Sequence, residues 1–155
     1  DSEFQQLSED QKRLVLRNEL AEHNKDLAAA AKNAGVDSGL DYAIFQNHGY
    51  KGLYGGLDNK AIHKHKDLKK SHKILDHMGS TELAANLFRA TQTEEKLKRD
   101  QVKSKTHANQ THHEVGKKVR QTIKDLGGTM PEDLPVPTKD IKQLAREQKK
   151  LDGKK

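Results

Sequence analysis

Cysteine and tryptophan are absent from this chain of 155 residues, and only three prolines, three tyrosines and three phenylalanines occur. Without cysteine there are no disulfides, no thiolate nucleophiles and no Cys-ligated zinc sites. The longest apolar run, "LAAAA", is five residues, far below the roughly 18 that a membrane-crossing helix needs. No secretory leader is visible. Strand signals are missing too, because no run alternates β-branched and polar residues. Hydrophobic residues make up 32% of the chain and charged residues 34%, which implies a thin core under solvated outer faces. The net charge of +6 is small for this length and fits a folded chain. The pI near 9.4 favours polyanionic partners, although interspersed charge is also the ordinary dress of an exposed helix.

What is present is helical periodicity. Ser8 and Gln11 read as a capping box opening a helix over residues 9–34, with Leu16, Leu20, Leu27, Ala31 and Ala34 on one face and Gly35 as its left-handed cap. Ser38 and Asp41 open a second helix expected to stop at Gly49, and Asp58 caps a third. A short helix around "KSHKILDHM" follows. Ser80 is expected to cap a helix whose buried stripe is Leu83, Leu87, Phe88, Thr91 and Leu97. Ser104 caps another, carrying Val115, Val119, Ile123 and Leu126 toward the core and closed by Gly127 and Gly128. All three prolines then fall in "TMPEDLPVPT", which predicts an extended strap. A basic amphipathic helix, "KDIKQLAREQKK", ends the pattern with Ile141, Leu144 and Ala145 on its apolar side. That side is too narrow for firm membrane binding. The expectation is an all-α fold: a helical body over 1–126, a strap over 127–138, and a basic C-terminal helix and tail over 139–155. The opening "DSEFQQLSED" has no Met and reads as the interior of a polar helix, as in the C-terminal portion of a longer protein.

The stretch "FQNHGYKGLYGG" holds glycines and tyrosines together. Its spacing matches neither GxxxxGK[ST] nor GxGxxG, and no strand precedes it. Gly49-Tyr50-Lys51-Gly52 matches the GxxG clamp of KH domains, but no three-stranded sheet accompanies it. The physical reading is a corner between helices plugged by tyrosines. Tyr50, Lys51 and Tyr54 are the alternative, a partner-binding surface.

Residues 60–77, "KAIHKHKDLKKSHKILDH", form the densest basic block. Lys60, Lys64, Lys66, Lys69, Lys70 and Lys73 are its candidate contacts to DNA or to a DNA-bearing partner. Lysines alone neutralise phosphates without reading bases, since no arginine supplies a bidentate fork. The histidines are not at the i,i+4 spacing of a helical HExxH site, and no carboxylate is placed to complete a ligand set, so neither metal nor cofactor is expected. No GxSxG elbow occurs, and Asp58-x-Lys60 and Glu94-x-Lys96 are chance-level fragments of a nuclease motif without its strands. No catalytic site is read.

Three blocks, "AIFQNHGYKGLYGGLDNKAIH", "KILDHMGSTELAANLFRATQTEEKLKRD" and "VRQTIKDLGGTMPEDLP", resemble the DNA-damage-inducible protein D (DinD) family. In the family's order they span most of residues 3–144. Full-length members carry an N-terminal Bro-type region. The resemblance implies a bacterial cytoplasmic, non-enzymatic protein of the SOS response that restrains RecA on single-stranded DNA, and it assigns no catalytic residue. Two further readings stand beside it: a direct, non-specific DNA-binding or antirepressor-like module, and a homodimerising scaffold.

Overall fold

The computed structural model describes residues 2–153; Asp1, Lys154 and Lys155 lie outside them, and with them the end of the expected tail. Six α-helices run in the order α1 (Ser2–Asn33), α2 (Gly39–Leu53), α3 (Asn59–His65), α4 (Ser80–Arg99), α5 (Lys105–Asp125) and α6 (Ile141–Gly153). Short 3₁₀ turns at Ile74–His77 and Pro131–Asp133 interrupt the connections. No strand occurs among the described residues, and no helix among them is long and apolar enough to cross a membrane. The fold is all-α, as the periodicity implies.

α1 packs along α4, α2 packs along α5, and α4 joins the two pairs. α1 runs straight through Ser8 instead of starting there, because "SEFQQL" holds no glycine or proline to break it. Its core stripe repeats every seventh residue through Leu20, Leu27 and Ala34. Arg13 continues that stripe, and its guanidinium donates to the carbonyls of Met78 (2.9 Å), Lys139 (2.8 Å) and Asp76 (3.4 Å). One buried side chain thus ties α1 to the 3₁₀ turn and to the approach to α6.

α2 does not stop at Gly49 but continues to Leu53. Gly49 and Gly52 face Gly116 of α5 at backbone contact. A Cβ at Gly116 would lie 2.6 Å from the Gly49 carbonyl oxygen and 2.8 Å from the Leu53 nitrogen. Glycine inside a helix costs about 0.5–1 kcal/mol relative to alanine, and here it lets two helices cross without side chains between them. The corner itself lies at Gly55 and Gly56, whose φ angles of +65° and +105° are left-handed. Asp58 then caps α3 by accepting from Ala61 N at 2.9 Å, and Ser38 and Ser104 cap α2 and α5.

α4 departs from expectation twice. Its N-cap is Gly79, and Ser80 instead donates its N–H and hydroxyl to the Glu9 carboxylate on α1. Phe88 is 51% exposed, whereas Glu82, Asn86, Arg89 and Thr93 are buried beside Leu83, Ala90 and Leu97. On α5, Leu126 is exposed as the C-cap rather than packed. The strap crosses the molecule with Glu132 held in a fork by Arg120 at 2.8 and 2.9 Å. α6 lies against α1 and the 3₁₀ turn, burying Ile141 and Leu144 while Ala145 stays exposed.

Candidate functional site

The tyrosines of the corner are inside the protein. Tyr50 is 4% exposed and Tyr54 1%, so neither offers a ready partner surface, and of that trio only Lys51 faces solvent. They belong to a chain of polar groups that runs through the core. Tyr54 donates its hydroxyl to Glu82 Oε2, and Glu82 Oε1 accepts from Lys66 Nζ at 2.7 Å. Asn86 donates to the Tyr54 oxygen (3.0 Å) and accepts from Arg89. Arg89 lies over the Tyr50 ring, 5.1 Å from its centroid.

Beyond Arg89 the chain continues to His112, whose Nδ1 faces the Phe45 carbonyl oxygen at 2.8 Å and whose Nε2 faces Arg89 Nη1 at 2.6 Å. A carbonyl can only accept and a guanidinium can only donate, so the imidazole is neutral with its proton on Nδ1. Burial, and then the Arg89 charge, hold His112 well below its ordinary pKa. Burial pushes Glu82 up against the downward pull of Lys66. Burial raises Tyr54 well above its usual range, and the Glu82 charge adds to it. These groups form a structural core rather than an open site.

Lys66 is therefore withdrawn from the basic block. Its ammonium is buried in an ion pair with Glu82, and a lysine so placed cannot touch a phosphate. Lys60, Lys64, Lys69, Lys70 and Lys73 are exposed. α6 approaches this loop through Asp140, whose carboxylate lies within 4.8 Å of ring nitrogens of His72 and His77. Lys69, Lys70 and Lys73 flank His72 in sequence and are exposed, as are Lys142 and Arg146 of α6, while Lys139 is paired with Glu147 at 3.1 Å. Spacing alone leaves the loop and the terminal helix as separate charged segments; packing brings α6 against the 3₁₀ turn at the loop's end.

The same packing corrects the reading of the histidines, for Asp140 is the carboxylate that local spacing could not supply. A second group, His23, Asp26 and Glu94, joins α1 to α4, with His23 and Glu94 half-buried, His23 Nδ1 buried without a hydrogen-bond partner, and Glu94 engaged by Lys98 at 3.0 Å. The buried chain also lacked an obvious sequence signal, apart from one clue. Leu83, Ala90 and Leu97 repeat every seventh residue, and Asn86 and Thr93 fall on the stripe they define.

Comparison with known proteins places these features in a family. Residues 7–144 match the model of the DinD C-terminal domain. The chain is 73% identical over 144 residues to the DNA damage-inducible protein D of Escherichia coli (strain K12), an alignment covering 93% of this chain and 53% of that protein. The chain thus spans about half the length of the curated relative it matches. No solved structure matches it. The chain belongs to the DinD family and corresponds to its C-terminal domain.

Proposed function

We propose that this DinD C-terminal domain is a non-enzymatic regulator of the bacterial DNA-damage response, acting in the cytoplasm by engaging RecA-coated single-stranded DNA and restraining the filament. The relative's name ties that protein to DNA damage, and the resemblance described above supplies RecA as the partner. The observation that carries the reading is that Lys60, Lys64, Lys69, Lys70 and Lys73 are exposed, and that α6, with exposed Lys142 and Arg146, packs against the 3₁₀ turn that follows them. Exposed charges of one sign raise the encounter rate with a polyanion. Exposed lysines do not read sequence, so selectivity for the filament comes from contacts to its protein component.

The test is co-sedimentation of the domain with RecA filaments on single-stranded DNA, with naked DNA as control. Binding to the filament alone supports the regulator. Equal binding to naked DNA, with a steep dependence on salt, favours direct phosphate contact instead. A homodimerising scaffold is a second reading. It is favoured by Phe88, which stands half-exposed over an apolar groove formed with Val119, Ile123 and Leu134. Sedimentation equilibrium of the wild type and of Phe88→Glu tests it.

A further inference from the structure

We propose that His72, His77 and Asp140 form a binding site for a divalent transition metal of the zinc class, which clasps α6 to the body. Three segments meet there: the loop after α3, the end of the 3₁₀ turn, and the residue that caps α6. The two imidazoles stack with ring centroids 4.5 Å apart and planes at 27°. His77 is only 7% exposed, yet among the described residues neither its ring nor that of His72 hydrogen-bonds to protein. The contrast with His112 is direct, since there both ring nitrogens are satisfied. The unbonded ring nitrogens of His72 and His77 keep access to solvent and lie within 4.8 Å of the Asp140 carboxylate, which leaves them open to an entering ion.

The donor set fits the class named. Asp140 uses Oδ1 to accept from Gln143 N at 2.8 Å, which leaves its second oxygen and fixes the carboxylate's orientation. Such an outer contact orients a metal ligand. The three ligand atoms lie within 4.8 Å of one another. Zinc takes imidazole and carboxylate at about 2.0–2.2 Å, so an ion at the centre needs a contraction of under about 1 Å. Imidazole with one carboxylate suits Zn²⁺, Co²⁺ or Ni²⁺, whereas Mg²⁺ and Ca²⁺ prefer all-oxygen shells. Arg13 and Arg146 are cations near the cluster, and the Arg13 guanidinium is committed to the carbonyls of Met78, Asp76 and Lys139. Asp76 is held by Arg17 at 3.1 Å and is not available as a further ligand.

The metal alone is the probe. Chelator-treated protein is titrated with Co²⁺, read by its visible absorption, and with Zn²⁺, read by calorimetry. Hydrogen exchange of the α6 amides is followed in parallel. One equivalent should bind, Tm should rise by several degrees at saturation, and exchange in α6 should slow. His72→Ala and Asp140→Asn, both at half-buried positions, should each weaken binding at least about tenfold and abolish the effect on α6. His23→Ala, in the second cluster, should leave binding unchanged. Failure to bind under a large metal excess would overturn the proposal. So would full-strength binding by the His72→Ala/Asp140→Asn double variant.

Discussion

Arg89 reaches across from α4 to donate to Nε2 of His112 on α5, at 2.6 Å. Neither residue is exposed, and none of the hydrogen bonds or ion pairs of Arg89 is to a carboxylate. Its charge is met instead by the Asn86 oxygen, the imidazole lone pair and the Tyr50 ring. A buried cation held only by neutral groups depends on every one of them keeping its protonation state.

That dependence predicts how stability varies with pH. The folded-state pKa of His112 is depressed below its ordinary 6.5, by burial and by Arg89, with His48 and His113 adding to the effect. Below pH 6.5 the unfolded chain binds a proton that the folded one refuses. The contribution is therefore present above pH 6.5 and declines as pH falls toward the folded value. Urea denaturation from pH 7.5 to 5 should show stability falling. His112→Asn, which keeps one acceptor and one donor, should flatten the slope by up to one proton's worth. Equal slopes in the two proteins would remove His112 from the pH response.

Lys66 and its exposed neighbours should separate cleanly. Lys66→Ala leaves Glu82 buried without its partner cation, and losses of about 3–5 kcal/mol follow from such changes. Lys69→Ala and Lys70→Ala remove exposed charges and should change stability by less than about 0.5 kcal/mol. Thermal unfolding of the three variants checks both halves.

Much of the architecture was legible from spacing, and the reasons are local. Ser38, Asp58 and Ser104 cap their helices because a short polar side chain before an apolar period has that one job. The polar core was not legible. Glu82, Asn86 and Arg89 look like the solvated face of a helix until α2, α3 and α5 bring partners to them. Phe88 was misassigned for the complementary reason, since hydrophobicity alone does not say which side of α4 its neighbours cover. The basic block was half-legible: composition marked the lysines of the loop, but only packing removed Lys66.

The α2–α5 crossing should be intolerant of a single methyl. In Gly116→Ala the new Cβ would meet backbone atoms of Gly49 and Leu53, which cannot rotate away as a side chain would. A loss of about 1–3 kcal/mol is expected, even though alanine is the better helix former. Gly39→Ala, where a Cβ meets nothing within 4 Å, is the control and should be neutral or slightly stabilising.

Glu9 should act as a remote cap of α4. Its carboxylate accepts from Ser80 N at 2.9 Å and from the Ser80 hydroxyl, at the positive end of a 20-residue helix. Glu9→Gln removes the charge and Glu9→Ala removes the acceptor as well. Losses of about 0.5 and 1–2 kcal/mol are expected, in that order, from urea midpoints at pH 7.

The central claim is the proposal that the exposed cations of the loop after α3 and of α6 carry the domain to RecA-coated DNA. It is tested most directly by co-sedimenting the wild type and a Lys69→Glu/Lys70→Glu/Lys73→Glu/Lys142→Glu variant with RecA filaments, after showing that both have the same Tm. The account predicts that the wild type pellets with the filaments and not with naked single-stranded DNA, while the variant stays in the supernatant. A stably folded variant that pellets as fully as the wild type would contradict it.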